Sequence, residues 1–87
     1  MKEKLEKFIK DNDLTFVKGY RNSELVVICG YAQYIEMTGD DLADILKPYF
    51  KKDAELELEF NRVWDYTYTY SYSKWWLDEG NRSKYVL

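Results

Sequence analysis

Histidine is absent from this 87-residue chain, cysteine and proline occur once each, and glycine only four times. Without histidine, the commonest general base and metal ligand is missing, which excludes Ser-His and Cys-His nucleophile pairs and histidine-based zinc sites. A single cysteine, Cys29, forms neither an intramolecular disulfide nor a thiolate cluster, so a reducing, cytoplasmic compartment is expected. Cys29 ends the run Val26-Val27-Ile28-Cys29 with no cation nearby in sequence, the setting of a buried apolar residue and not of a reactive thiol. The four glycines are dispersed and form no phosphate loop. Asp11-x-Asp13-x-Thr15 has the spacing that opens a calcium loop, but Phe16 stands at the turn-glycine position and no glutamate follows at the twelfth. No catalytic constellation, cofactor or metal is therefore expected, and the chain is not expected to be an enzyme. Long apolar runs are also missing: residues 1–12 alternate Lys and Glu, so neither a secretion signal nor a membrane span is expected.

What the chain has in abundance is aromatic residues. Nine Tyr, four Phe and three Trp make up 18% of it, and seven of them lie between Trp64 and Trp76. At this length one domain spanning 1–87, burying about 64% of its surface, accounts for the whole chain.

Local patterns suggest an α+β domain. Leu5, Phe8 and Ile9 at i, i+3 and i+4 predict a short amphipathic helix over 2–12. Leu14 to Val17 and Glu24 to Cys29 are β-prone runs joined through Gly19 and a turn at Arg21-Asn22-Ser23, which predicts a hairpin, with Tyr31 to Met37 as a third strand or a continuation past a bulge at Gly30. Thr38 and Asp41 have capping-box spacing ahead of Leu42, Ile45 and Leu46, predicting a helix over about 40–47 that Pro48 loosens.

From Ala54 the period changes to two, with Leu56, Leu58, Phe60, Trp64, Tyr66, Tyr68, Tyr70 and Tyr72 all on even positions. One strand of that length would run about 63 Å, far beyond a radius of gyration of about 12 Å. A hairpin turning at Asn61-Arg62-Val63 resolves this and keeps the apolar residues on one face. A helix over 54–66 is the rival, since Leu56, Phe60, Val63 and Trp64 also fit helical spacing. Lys84 to Leu87 completes the order α-β-β-(β)-α-β-β as a short strand, giving an antiparallel sheet of four to five strands packed against two short helices.

Two sets of residues are candidates for partner binding. The net charge is −3, with acid concentrated at residues 22–46 (−5) and 53–61 (−4). On a strand, Glu55, Glu57 and Glu59 share one face about 6.8 Å apart, with Asp53 extending the row. Such a row would imitate nucleic-acid phosphates and enter the basic groove of a nucleic-acid-binding enzyme, with Glu36, Asp40, Asp41 and Asp44 adding to the acidic region that steers approach. The plainer role for such a row is a solvated face. Tyr70, Tyr72, Trp75 and Trp76 form the aromatic set, suited to core packing or to a protein hot spot. Direct nucleic-acid binding is not expected, because only Arg62 and Lys74 accompany the aromatics between Asn61 and Leu77.

Small acidic domains without catalytic residues are commonly inhibitors or regulators encoded by phages and mobile elements, including anti-CRISPR and anti-restriction proteins. By that analogy of size and charge, the expected function is a non-enzymatic inhibitor or regulator acting on a protein partner. The alternatives are a nucleic-acid accessory domain aided by Lys2, Lys4, Lys7 and Lys10, and a domain that associates with itself as a homodimer.

Overall fold

A computed structural model describes residues 2–87, and every regular element in it is helical. The expected antiparallel sheet is absent from the described residues. Four helices, α1 (Lys2–Asp11), α2 (Arg21–Tyr34), α3 (Gly39–Lys52) and α4 (Ala54–Thr69), are followed by a 3₁₀ segment, Tyr72–Leu77, and a single turn, α5 (Glu79–Arg82). α2 lies at the centre, packed most extensively against α4 and the 3₁₀ segment, while α3 bridges α1 and α4.

The α1 stripe behaves as its spacing predicts: Leu5, Phe8 and Ile9 are buried. The hairpin does not form. Residues 13–18 are a loop, with Asp13 and Phe16 at positive φ, and Glu24 to Cys29 lie inside α2. The same apolar run serves a helix because Leu25, Ile28, Cys29 and Ala32 fall at i, i+3, i+4 and i+7 and are buried, while Val26 and Val27 are half-buried on the flank. A central helix is apolar on several sides, so it carries little periodicity to separate it from a buried strand. Tyr31 to Met37, the expected third strand, finishes this helix and turns out of it at Glu36, whose φ is 65°.

In α3 the Thr38 hydroxyl oxygen accepts from the Asp41 amide at 3.1 Å, as the capping spacing predicts. The helix continues through Pro48 to Lys52, beyond its expected end. Pro48 takes the donor from the Asp44 carbonyl. Both residues are exposed, so water can satisfy that carbonyl, and continuation buries Phe50 one turn after Leu46.

α4 replaces the second expected hairpin with one uninterrupted helix. Asp53 caps it, accepting from the Glu55 amide at 3.2 Å. At a rise of 1.5 Å per residue its 16 residues span about 24 Å, so the length that forced a strand to turn at Asn61 is no obstacle. Leu56, Phe60, Val63 and Thr67 form the buried stripe. Even positions lie about 200° apart on a helix, so the alternating aromatics wrap around it instead of sharing a face. Leu58, Tyr66, Tyr68 and Tyr70 are consequently exposed.

Thr67 is fully buried and ties α4 to α2. Its hydroxyl donates to the Val63 carbonyl at 2.8 Å, with the Trp64 carbonyl at 3.1 Å, and accepts from Gln33 Nε2 at 3.0 Å. Ser71, in the left-handed region at φ 56°, then reverses the chain. The 3₁₀ segment returns along α2 and seats Trp76 in the core against Phe8, Tyr31 and Tyr85. The expected terminal strand is instead a turn leading into a short tail: Tyr85 packs on Phe8 and Trp76, and Asn12 accepts from the Val86 amide at 2.8 Å and donates to its carbonyl at 2.9 Å.

Candidate protein-binding face

The acidic row and the aromatic run both lie on or next to α4, and the helix treats them differently. Asp53 sits at the cap, with Glu55 two residues and Glu59 six residues further on. The last two are one turn apart, a like-charge pair that repels on a bare helix. Arg21, the first residue of α2, joins all three. Its Nη1 donates to Asp53 at 2.6 Å, Nη2 to Glu55 at 3.0 Å and Nε to Glu59 at 2.7 Å, while Asn22 donates to the second Glu59 oxygen at 3.1 Å. The Arg21 side chain is only 15% exposed. The hydrogen bond to Glu55 first, then those to Glu59 and Asp53, hold its guanidinium protonated beyond its ordinary range, against the cost of desolvation.

The other expected acids do not join this cluster. Glu57 lies on the solvent side of α4. Asp40 and Asp41 stand in the first turn of α3, where the helix dipole favours a carboxylate. Asp44 pairs with Lys2 at 3.2 Å, and Glu36 is exposed past the end of α2. Evenly spaced carboxylates therefore do not occur: the expected row required a strand, and a helix turns Glu57 away from Glu55 and Glu59. Among the described residues no group of His, Cys, Asp or Glu is arranged to hold a metal ion, and no helix is long and apolar enough to cross a membrane. Cys29 is fully buried in α2, and burial pushes its thiol pKa up.

The aromatic residues gather at the far end of α4. Tyr66 and Tyr70, 50% and 66% exposed, lie 4.9 Å apart between ring centres. Tyr72 packs on Tyr66 at 5.3 Å and donates its hydroxyl to the Tyr66 hydroxyl at 3.2 Å. Trp75 is 41% exposed and packs edge-on against Trp76 at 5.1 Å. Lys84 Nζ sits 5.8 Å from the Trp75 ring centre. Of the expected aromatic set, Tyr70, Tyr72 and Trp75 share this surface, while Trp76 is core. Tyr68, 70% exposed, makes no aromatic contact among the described residues.

Between α2, α4 and the 3₁₀ segment, Tyr66, Tyr72, Trp75 and Trp76 border a groove made of two adjoining recesses. One, about 650 Å³, lies among Asn22, Glu59, Arg62, Val63 and Tyr66. The other, about 160 Å³, lies among Val27, Gly30, Trp75, Trp76 and Tyr85. Val26 and Tyr72 border both. Its far wall is braced from behind: Asn81 donates to the Trp75 carbonyl at 2.8 Å, and Arg82 to those of Trp76 at 2.7 Å and Leu77 at 3.0 Å. Asp40 and Asp65 border a separate open cleft beside Trp64.

Arg21, Val26, Gly30, Tyr66 and Tyr85 are the surface and network residues that sequence reasoning missed. Glu55 and Glu59 at helical spacing signal a shared cation once α4 is read as a helix. No local pattern points to Arg21, which reaches them across 34 and 38 residues of chain. No protein-family model, curated protein or solved structure matches the chain.

Proposed function

We propose that this protein is a non-enzymatic inhibitor or regulator that acts by binding another protein through the tyrosine- and tryptophan-lined groove between α2, α4 and the 3₁₀ segment. The observation that carries this reading is where the aromatic area lies: Tyr66 and Trp75 keep large exposed faces along one braced groove, and the exposed Tyr70 ring packs against Tyr66 beside it. Tyr and Trp supply most of the energy at protein interfaces, because they bury large rigid areas at low entropic cost. The acids fit recognition less well. Asp53, Glu55 and Glu59 are held by Arg21 and Asp44 by Lys2, which leaves Glu36, Asp40, Asp41 and Glu57 as scattered charge.

The test is a titration of the purified partner, once captured from the native host, against three forms of the protein. Tyr66→Ala/Tyr70→Ala should weaken binding by about 30-fold or more, the hot-spot range. Asp40→Asn/Asp41→Asn/Glu57→Gln should change it by less than about three-fold, as for rim charges. The reverse ranking would overturn the aromatic reading in favour of acid-led capture of a basic partner.

A further inference from the structure

We infer that the smaller recess, between α2 and the 3₁₀ segment, is an anchor pocket for one aromatic side chain of the partner protein, carried in a segment with flanking carboxylates. This rests on the protein-binding reading above and adds what the groove recognises. Its volume is about 160 Å³, close to the roughly 150 Å³ of an apolar cavity that admits benzene. Val26, Val27 and the Trp75 and Tyr85 rings provide apolar walls.

The floor depends on a glycine. A Cβ placed on Gly30 would lie 3.2 Å from Trp76 Nε1 and 3.6 Å from the Tyr72 Cβ. The missing side chain therefore lets the Trp76 indole pack directly on the α2 backbone, with its N–H edge beside Gly30. Glycine inside a helix is unfavourable, so its presence in α2 is matched by this close approach.

Trp76 is only 2% exposed, yet its N–H donates to no acceptor among the described residues. Among the described residues no buried side-chain nitrogen or oxygen lacks a partner, so this N–H must reach solvent, and Gly30 and Trp76 together border the recess. Buried indole N–H groups usually find an acceptor. A backbone carbonyl beside an inserted ring supplies one.

Charge selects the flanking residues. Lys84 stands over Trp75, and Arg62 borders the adjoining recess; neither makes an ion pair among the described residues. These cations lie on a protein of net charge −3, so they attract carboxylates locally while the whole molecule repels a long polyanion. An acidic peptide segment fits this balance better than a nucleic-acid strand.

The three tryptophans give three indole N–H signals in a ¹⁵N-labelled sample, and Trp64→Phe and Trp75→Phe assign that of Trp76 by elimination. The probes are the blocked tripeptides acetyl-Asp-Phe-Asp-amide, acetyl-Lys-Phe-Lys-amide and acetyl-Asp-Ala-Asp-amide. The first should shift the Trp76 signal saturably, with a dissociation constant on the order of 1 mM. The lysine peptide should bind about ten-fold more weakly, and the alanine peptide should leave the signal unmoved. Gly30→Ala should abolish the response. Should that variant unfold, Lys84→Glu, on the surface, should invert the preference between the two charged peptides.

A Trp76 signal unmoved up to about 20 mM, or equal responses to all three peptides, overturns the proposal. So does a response to phenylacetate or to a thymidine 15-mer without one to the acidic peptide. Tyr66 and Tyr70 lie outside the recess, so their effect on partner affinity tests the protein-binding reading separately: the pocket can fail while that reading stands.

Discussion

From Asp53 to Phe60 the α4 segment carries four acids, three of which close on a single arginine of α2. From Val63 to Tyr70 it carries one acid and three tyrosines, none of which enters the core. In sequence the first stretch looks like free charge and the second like core. The fold reverses both impressions, because what a side chain does on a helix depends on which neighbour its face meets. Arg21 faces the first half. Groove and solvent face the second.

If that difference is real, Arg21→Met should be the most damaging single change on the surface of the protein. It leaves Asp53, Glu55 and Glu59 side by side without their cation, two of them largely sheltered from water. The melting temperature should fall by about 10 °C, with partial recovery at high salt as the repulsion is screened. Glu57→Gln, on the opposite side of the same helix, should shift it by no more than about 2 °C. Equal effects would mean that the Arg21 cluster is no more than ordinary surface charge.

Thr67→Val comes next, because it strikes the contact holding the aromatic half of α4 to α2. The hydroxyl that Gln33 donates to is lost, leaving Gln33 its longer bond to the Trp64 carbonyl at 3.3 Å. Losing one hydrogen bond of a half-buried amide costs about 0.5–1.5 kcal/mol, measurable by denaturant unfolding. An unchanged midpoint would show that the two helices are held by apolar packing alone.

Tyr66→Ala/Tyr70→Ala should have a smaller effect still, within about 2 °C, since both rings are at least half exposed. A large fall in melting temperature would return these tyrosines to a structural role and remove the contrast between the two halves.

How much of this could be read from the chain depended on how local the causes were. The α1 stripe and the Thr38 cap are set by residues within one or two turns, and both appear as their spacing predicts. In α2, the β-branched run Val26-Val27-Ile28 carried a strand preference of its own, and burial on several sides erased the helical period that would have opposed it. Two periods competed in α4: the even-numbered aromatics were more numerous, but Leu56, Phe60, Val63 and Thr67 lie where α2 and α3 can cover them. Tyr70, Tyr72 and Trp75 were identifiable as candidates by composition. The groove beside them was not, since it needs Gly30 and Val26 from a helix some 40 residues earlier in the chain.

Alkali should separate the two halves at the lowest cost to either. Arg21 is held protonated above its ordinary range, so its cluster keeps its charge throughout a titration to moderately high pH. On the core side of α2, burial raises the Cys29 thiol above its ordinary 9.0, and burial followed by the neighbouring Tyr34 raises the Tyr31 phenol above its ordinary 10.0. Both groups keep their protons in the folded protein where the unfolded chain would release them. Their contribution to stability is therefore complete below pH 9 and is lost as the pH rises past these values. Denaturant midpoints should be level from about pH 7 to 9 and fall beyond it. The fall should be shallower in Tyr31→Phe, which keeps the ring packing on Phe8 and Trp76 but has no proton to lose. If Tyr31→Phe declines as steeply as the parent, the buried Cys29 thiol and not the Tyr31 phenol carries the alkaline weakness.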